Sequence, residues 1–500
     1  MKSGLSGSNS SGDQTTLAEA RRINNFFSPQ LPFSLFKNIS QLPKFASPPK
    51  NPTSFSVPMA KRRDRRAPPG PDSRTPPALA AEGARTIDAV THTRISIFFF
   101  FLFLFLPIVS ILVYRLIYPP QTYTDTYKDT NASGSVYERG LVRADVSYKE
   151  ILAENSKVSA NKSSRHYSYP VLAYVTPWNS KGYEIAKRFT SKFTHLSPVW
   201  YELKSEGFQL VLEGRHNADI GWISELRTNG NVLVLPRVVL EAFPTQLLRK
   251  KQQWQKAIDL IVTECKDMGY DGVVLESWSR WAAYRVLDDK DMRGMALDFV
   301  KRLAKSLHSV HLERNNSNRH LQLVYVIPAP RSEELKNYDF GPDDFQSLSE
   351  DVDGFSLMTY DFSGPHSPGP NAPLNWIRSS LQMLLGDTAN GSPSHVDKIF
   401  LGINFYGNDF ILSEGSGGGA VTGREYLSLM EKHRPVLQWK DNFAEHFFIY
   451  SDNHINHAVF YPSLKSISLR LAEARSWGAG ISIWEIGQEL ENYGTPELKF

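Results

Sequence analysis

From Tyr169 onward, short apolar runs alternate with longer stretches whose apolar residues recur at helical spacing. The runs fall at residues 171–175, 195–200, 232–236, 272–275, 321–327, 355–359, 399–404 and 480–484. Amphipathic stretches such as 245–268 and 291–310 lie between them. Eight strands alternating with helices predict an α/β fold, a parallel (β/α)8 TIM barrel over 168–500. A doubly wound open sheet is the competing arrangement. No G-x-G-x-x-G follows the first run, which argues against a dinucleotide-binding version. The longest gap separates the seventh and eighth runs, and within it 436–439, 445–451 and 458–461 alternate like strands. A small β-rich insertion after strand seven is therefore expected.

The pattern before the barrel is different. Residues 95–114 carry no charge, and at 1.5 Å per residue they span ~30 Å, the hydrocarbon thickness of a bilayer. No A-x-A cleavage site follows, so 95–117 reads as an uncleaved transmembrane signal anchor. Residues 1–94 hold 12 of the 31 prolines and no sustained apolar period, which predicts a disordered region. Met59 precedes the basic run Lys61-Arg62-Arg63-Asp64-Arg65-Arg66, and the native start is expected there. That basic cluster favours a cytosolic N-terminus and a luminal or extracellular barrel, on a single-pass protein of the endomembrane system. Release by cleavage, to secretion or to a lysosome or vacuole, is the other route. Sequons at Asn131, Asn161, Asn315 and Asn390 permit glycosylation there. Residues 118–167 are polar and read as a stalk with one short helix near 148–155.

Charge and cysteine narrow the chemistry. The 500-residue chain has 56 Lys+Arg and 52 Asp+Glu, a net of +4. Residues 1–94 contribute 14 − 6 = +8, leaving −4 on the rest. A mildly acidic body is not a nucleic-acid-binding surface. The single cysteine, Cys265, excludes an intrachain disulfide, a Cys-based zinc site and an iron–sulfur centre. His454 and His457 have no evident third ligand, and no metal or cofactor is expected.

In such barrels the chemistry sits at the carboxyl ends of the strands. The runs end in Trp178, in Trp200-Tyr201, in Pro236-Arg237, in Glu276-Ser277-Trp278, in Tyr360-Asp361, in Tyr406-Gly407 and in Trp484-Glu485. Aromatic faces stack on the C–H faces of sugar rings while carboxylates bind hydroxyls. The predicted ligand is an oligosaccharide, with Trp200, Glu276, Trp278, Tyr360, Asp361, Tyr406, Trp484 and Glu485 as candidate binding residues.

The strand signatures resemble glycoside hydrolase family 18, the chitinase fold. The matching pieces are Tyr270-Asp271-Gly272, Leu357-Met-Thr-Tyr360-Asp361, Leu401-Gly-Ile-Asn-Phe-Tyr406-Gly407 and Gly480-Ile-Ser-Ile-Trp484-Glu485. Within that family, Leu235-Pro-Arg237 and the stretch from Asp271 to Trp278 are similar to the chitinase domain-containing, stabilin-interacting chitinase-like lectins. The resemblance implies a cleft for chitooligosaccharide or other N-acetylglucosamine-containing glycans. It also implies that Tyr360 and Asp361 position an acetamido group and that Trp484 forms the floor.

One departure bears on catalysis. The family carries D-G-x-D-x-D-x-E on strand four, and here those positions read Asp271-Gly-Val-Val-Leu-Glu-Ser-Trp278. Continued strand alternation would turn Val274, Glu276 and Trp278 to the barrel interior and mouth. An indole N–H donates a hydrogen bond but no proton. The expected function is thus sugar binding without turnover. The alternative is a glycosidase acting on O-glycosyl bonds through a displaced acid, Glu276, sharing a proton with Asp361. Glu276 also reads as a buried carboxylate bonded to Tyr360 or Arg237. A third reading is a barrel whose cleft is closed by Trp278 and which engages a protein receptor.

Overall fold

The computed structural model describes residues 130–488, apart from 133–134, 156, 160–164, 208, 315–316, 333, 387–394 and 413–416. The predicted disordered region, 1–94, and the predicted membrane anchor, 95–117, lie outside the described residues. Among the described residues, no helix is long and apolar enough to cross a membrane.

Eight parallel strands close into a barrel. They are Val171–Val175, His195–Glu206, Arg237–Leu240, Gly272–Glu276, Gln322–Pro328, Gly354–Met358, Ile399–Asn404 and Gly480–Trp484. Each pairs with the next, and the eighth pairs back to the first. Closure leaves no barrel edge and puts both faces of each strand under cover, which is why these segments are apolar at successive positions. The inner face packs Leu172, Tyr174, Leu235, Val274, Val324, Val326 and Phe400 against one another. The outer face packs against helices such as Lys251–Met268, which buries Trp254, Ala257, Ile258, Ile261 and Cys265 at helical spacing. Gly272 opens the fourth strand because a Cβ there would meet the Gln322 backbone at 2.1 Å, and its φ is +145°.

Two strands differ from the pattern in the sequence. The third run, 232–236, breaks at Pro236, which has no amide hydrogen to offer a ladder. Only Leu233–Val234 pairs there, and the barrel strand proper starts at Arg237. Arg237 therefore begins the strand, level with Val274 of its neighbour. The second run, 195–200, continues to Glu206 and turns into an antiparallel hairpin with Gln209–Glu213.

The insertion between strands seven and eight is a five-stranded antiparallel sheet. Its spatial order is Gly417–Val421, Gly407–Ile411, Ile455–Phe460, Glu445–Asp452, Gln438–Lys440. The described part of the expected stalk also differs from its reading as a spacer. The helix at Tyr148–Glu154 forms, with a Ser147/Glu150 capping box. Yet Val136, Leu141, Val146 and Ile151 are buried against the main core. These apolar residues recur every five positions, a spacing that matches neither the helix nor the strand period, so the burial is invisible to periodicity.

A buried ion pair fastens the insertion to the barrel. Arg470, on the helix Leu464–Trp477, donates from Nη2 to Glu445 Oε1 at 2.9 Å and from Nη1 to the Ala444 and Ser466 carbonyls. Glu445 also accepts the amides of Asn371 and Ala372 at 2.9 and 2.7 Å. Burial pushes the Glu445 carboxyl up and the Arg470 guanidinium down, and each partner opposes the other's shift. Glu445→Ala is expected to cost about 3–5 kcal/mol, because it leaves a buried guanidinium uncompensated. Chemical denaturation read by fluorescence checks this, with Lys432→Ala, which removes an exposed ion pair to Asp452, expected to leave the midpoint almost unmoved.

Candidate functional site

The carboxyl ends of strands four, six, seven and eight converge on one mouth, joined there by the start of strand three. Glu276 ends strand four with its side chain 20% exposed, and Arg237 rises from the start of strand three to meet it. Arg237 Nε donates to Glu276 Oε2 at 2.7 Å, and Nη2 donates to the same oxygen. The family's acidic relay would put a carboxylate at position 274, which is level with Arg237. Here Val274 is fully buried, so the guanidinium turns to the next inward acid along the strand, Glu276. The Arg237 guanidinium also lies 5.2 Å from the centre of the Trp484 ring.

Trp484 ends strand eight, half-buried at the mouth, with Tyr174 against it at 5.1 Å between ring centres. Below, Tyr174 donates to Ser356 Oγ at 2.8 Å and Ser356 to Ser482 Oγ at 3.2 Å, a polar thread through the barrel interior. Burial pushes the Tyr174 phenol up, so this hydroxyl stays a neutral donor.

Beyond strand six, Tyr360 and Asp361 face Tyr406. The Tyr406 hydroxyl donates to Asp361 Oδ1, and the Tyr360 and Tyr406 rings meet edge to face at 6.3 Å. Gly402 makes room for this: a Cβ there would meet the Leu357 carbonyl at 2.4 Å and the Tyr360 ring at 2.9 Å. Asp361 sits in the left-handed region, φ +60°, which is uncommon for a non-glycine residue. Asn371 Oδ1 holds it there by accepting the Asp361 amide at 2.7 Å. The residue is open to solvent at the rim, but protein crowds its carboxyl, and that desolvation raises it against the opposing Tyr406 hydrogen bond and the Arg331 charge. The Tyr360 phenol is pushed well up by burial, and among the described residues its hydroxyl has no hydrogen-bond partner. It is a donor available to a ligand.

Four candidate residues thus gather with Glu276: Tyr360, Asp361, Tyr406 and Trp484. Three others do not. Trp200 lies in mid-strand because strand two runs on to Glu206. It is 3% exposed, donates to the Tyr183 hydroxyl at 2.8 Å and packs against Trp222 under the helices. Trp278 does not extend the alternation of strand four, because the strand ends at Glu276 and residue 278 is already the first of a helix, Trp278–Ala283. Its ring has no exposed surface. It packs on Phe340 at 4.8 Å, with the Arg293 guanidinium 5.0 Å away, and donates to the Tyr338 carbonyl at 2.9 Å. It neither offers a stacking face nor closes the cleft. Glu485 is buried as well, accepting from Asn179 Nδ2 at 2.8 Å and the Gly487 amide at 2.9 Å, which anchors the loop after strand one.

Glu276 and Asp361 each have their own partner, and among the described residues no hydrogen bond joins them. Of the readings open for Glu276, pairing with Arg237 is the one observed. Asp271 braces the barrel below the mouth, accepting the Val234 amide at 2.9 Å. Sequence reasoning puts Arg237 at the mouth as the end of the third run and names it as a partner for Glu276, whereas the structure has it begin strand three. It passes over Asn371, which carries no local signal. The assembled mouth offers a flat indole, a free phenol donor, a carboxylate and a charge-compensated Arg–Glu pair, a set suited to sugar hydroxyl and amide groups.

Known proteins agree with this architecture. Bacillus subtilis YvbX, an uncharacterized glycosylase, is 24% identical over 253 residues, spanning 50% of this chain and 67% of that protein. A chitinase from Chromobacterium violaceum superimposes with a TM-score of 0.52 at 17% identity, over 66% of this chain and 97% of that one. A mutant plant class V chitinase from Cycas revoluta, solved in complex with (GlcNAc)3, gives a TM-score of 0.52 at 17% identity, over 66% and 98%. The family model described as "Glycosyl hydrolases family 18" matches residues 171–489, the whole of the barrel from its first strand to the end of its eighth, and the chain therefore belongs to that family.

Proposed function

We propose that the barrel mouth binds chitooligosaccharide or related N-acetylglucosamine-containing glycans and does not hydrolyse them. The observation that carries this reading is the state of strand four. At the position of the family's proton donor stands Trp278, sealed in the core, and the one remaining inward acid, Glu276, is engaged by Arg237. General acid catalysis supplies ~10²–10⁴-fold, or roughly 3–5 kcal/mol, and nothing on this strand replaces it. The binding half of the site is retained. Trp484 and the unpartnered Tyr360 hydroxyl remain at the mouth, and exposed aromatics, including Trp178 at 68%, stand on loops leaving the same ends of the strands. The (GlcNAc)3 complex of the Cycas chitinase supports the choice of ligand by analogy of fold.

The proposal includes the finer kinship with the stabilin-interacting chitinase-like lectins, on the motifs from Leu235 to Arg237 and from Asp271 to Trp278. It also includes residues 95–117 as a membrane anchor that holds the barrel on the luminal or extracellular side, with a protein receptor as a second class of partner.

Trp484→Ala is expected to weaken chitotetraose binding by ~1–3 kcal/mol in calorimetry, the loss of one aromatic platform. Unchanged affinity would remove Trp484 from the floor. Trp278→Ala should behave in the opposite way, lowering stability by about 3–5 kcal/mol while the folded fraction keeps its affinity. Incubated with chitotetraose, wild type and Glu276→Gln are expected to release equal, background levels of reducing ends. Turnover by wild type that Glu276→Gln abolishes would replace the binding reading with the displaced-acid glycosidase.

A further inference from the structure

We propose that His308, His320 and Asp353 form a site for one divalent transition-metal ion of the zinc class, at the end of the barrel opposite the mouth. The three residues come from separate elements. His308 is the last residue of the helix Lys290–His308, and His320 ends the hairpin strand Ser317–His320, which pairs with His311–Arg314. Asp353 immediately precedes the sixth barrel strand, Gly354–Met358. The two imidazoles turn toward one carboxylate. His308 Nε2 lies 2.8 Å from Asp353 Oδ2 and His320 Nε2 lies 3.1 Å from Oδ1, with the ring centres 4.4 Å apart.

All three donor atoms stand within 4.8 Å of one another. Ligand atoms around a tetrahedral zinc, each about 2.0–2.2 Å from the ion, are roughly 3.3–3.5 Å apart. The two nitrogen–oxygen contacts, each to a different oxygen of Asp353, are shorter than that spacing, so the three side chains would spread by a few tenths of an ångström to admit an ion. The Leu323 amide donates to Asp353 Oδ2 at 2.7 Å and fixes the carboxylate, the orienting contact that metal ligands commonly have. Side-chain exposures of 32%, 46% and 18% leave an entry path. Two imidazole nitrogens with one carboxylate suit zinc, cobalt, nickel or copper, whereas magnesium and calcium take oxygen ligands. Three protein ligands leave a fourth position for water. The ion would bridge the end of one helix, the hairpin and the turn into strand six, so its role is to staple the barrel floor.

The test uses the full chain, stripped with a chelator and titrated with Zn2+ against a chromogenic competitor, beside His320→Ala and Asp353→Asn. The second variant retains an amide oxygen to accept the Leu323 amide. Wild type is expected to hold one zinc about tenfold or more tighter than either variant, and zinc should raise the thermal midpoint of wild type only. Circular dichroism confirms that the variants are folded. Equal zinc uptake by all three proteins, or an equal response to Mg2+, overturns the proposal. So does a drop in stability of the variants with no zinc uptake by wild type, which would make the cluster a hydrogen-bonded staple.

Discussion

The buried pair between Arg470 and Glu445 ties together the parts of the molecule on which the mouth depends. Glu445 belongs to the insertion and Arg470 to the last helix, and the same carboxylate holds the amides of Asn371 and Ala372. Asn371 then uses its side-chain oxygen to keep Asp361 in a left-handed conformation. The chain of contacts runs from an ion pair in the core to a carboxylate at the rim. A buried ion pair adds little net stability over a well-packed apolar pair, but either partner alone is strongly unfavourable. Such a pair therefore acts by specifying an arrangement. In this protein it specifies where the loop after strand six can lie, and with it the position of Asp361, which the Tyr406 hydroxyl meets.

On the other side of the mouth, a second ion pair decides what the floor can do. With Val274 in the barrel interior, Arg237 has no acid at its own level and reaches Glu276 instead. The guanidinium then lies over Trp484, so one residue both compensates the remaining inward carboxylate and shapes the aromatic floor. A pocket of this kind keeps directional hydrogen bonds and an apolar face, which are the terms that bind a sugar. It lacks a free carboxylic acid on strand four, which is the term that protonates a leaving oxygen. On the proposed reading, binding and catalysis separate because they draw on different side chains of one barrel.

The fold was largely legible in the chain because the signals are local. Apolar runs of strand length, helical periods between them and a long strand-like stretch before the last run each reflect interactions within a few residues, or burial repeated along one element. Val171–Val175, Ile399–Asn404 and Gly480–Trp484 lie where their composition puts them, and the insertion is β-rich as its alternation indicates. Where the reading missed, a local rule met a chain break or a tertiary contact. Pro236 moved the start of strand three, the hairpin beyond Trp200 lengthened strand two, and Val136, Leu141, Val146 and Ile151 found burial without a period.

By itself the sequence determined an eight-stranded barrel of family 18, its aromatic and acidic strand ends, and the replacement of the strand-four acids by Val274 and Trp278. The tertiary structure alone decided which of those ends reach the mouth. Trp200, Trp278 and Glu485 look like Trp484 and Glu276 in one dimension, yet they turn into the core or under the rim. The reason is geometric. A strand's alternation holds only while the strand lasts, and the chain leaves strand four two residues before Trp278 while it stays in strand two well past Trp200. The meetings of Arg237 with Glu276, of Asn371 with Asp361, and of His308 with His320 and Asp353 join residues 10 to 45 positions apart. No spacing rule covers such separations, since the tertiary fold, through barrel packing and the loops at its ends, sets the distance.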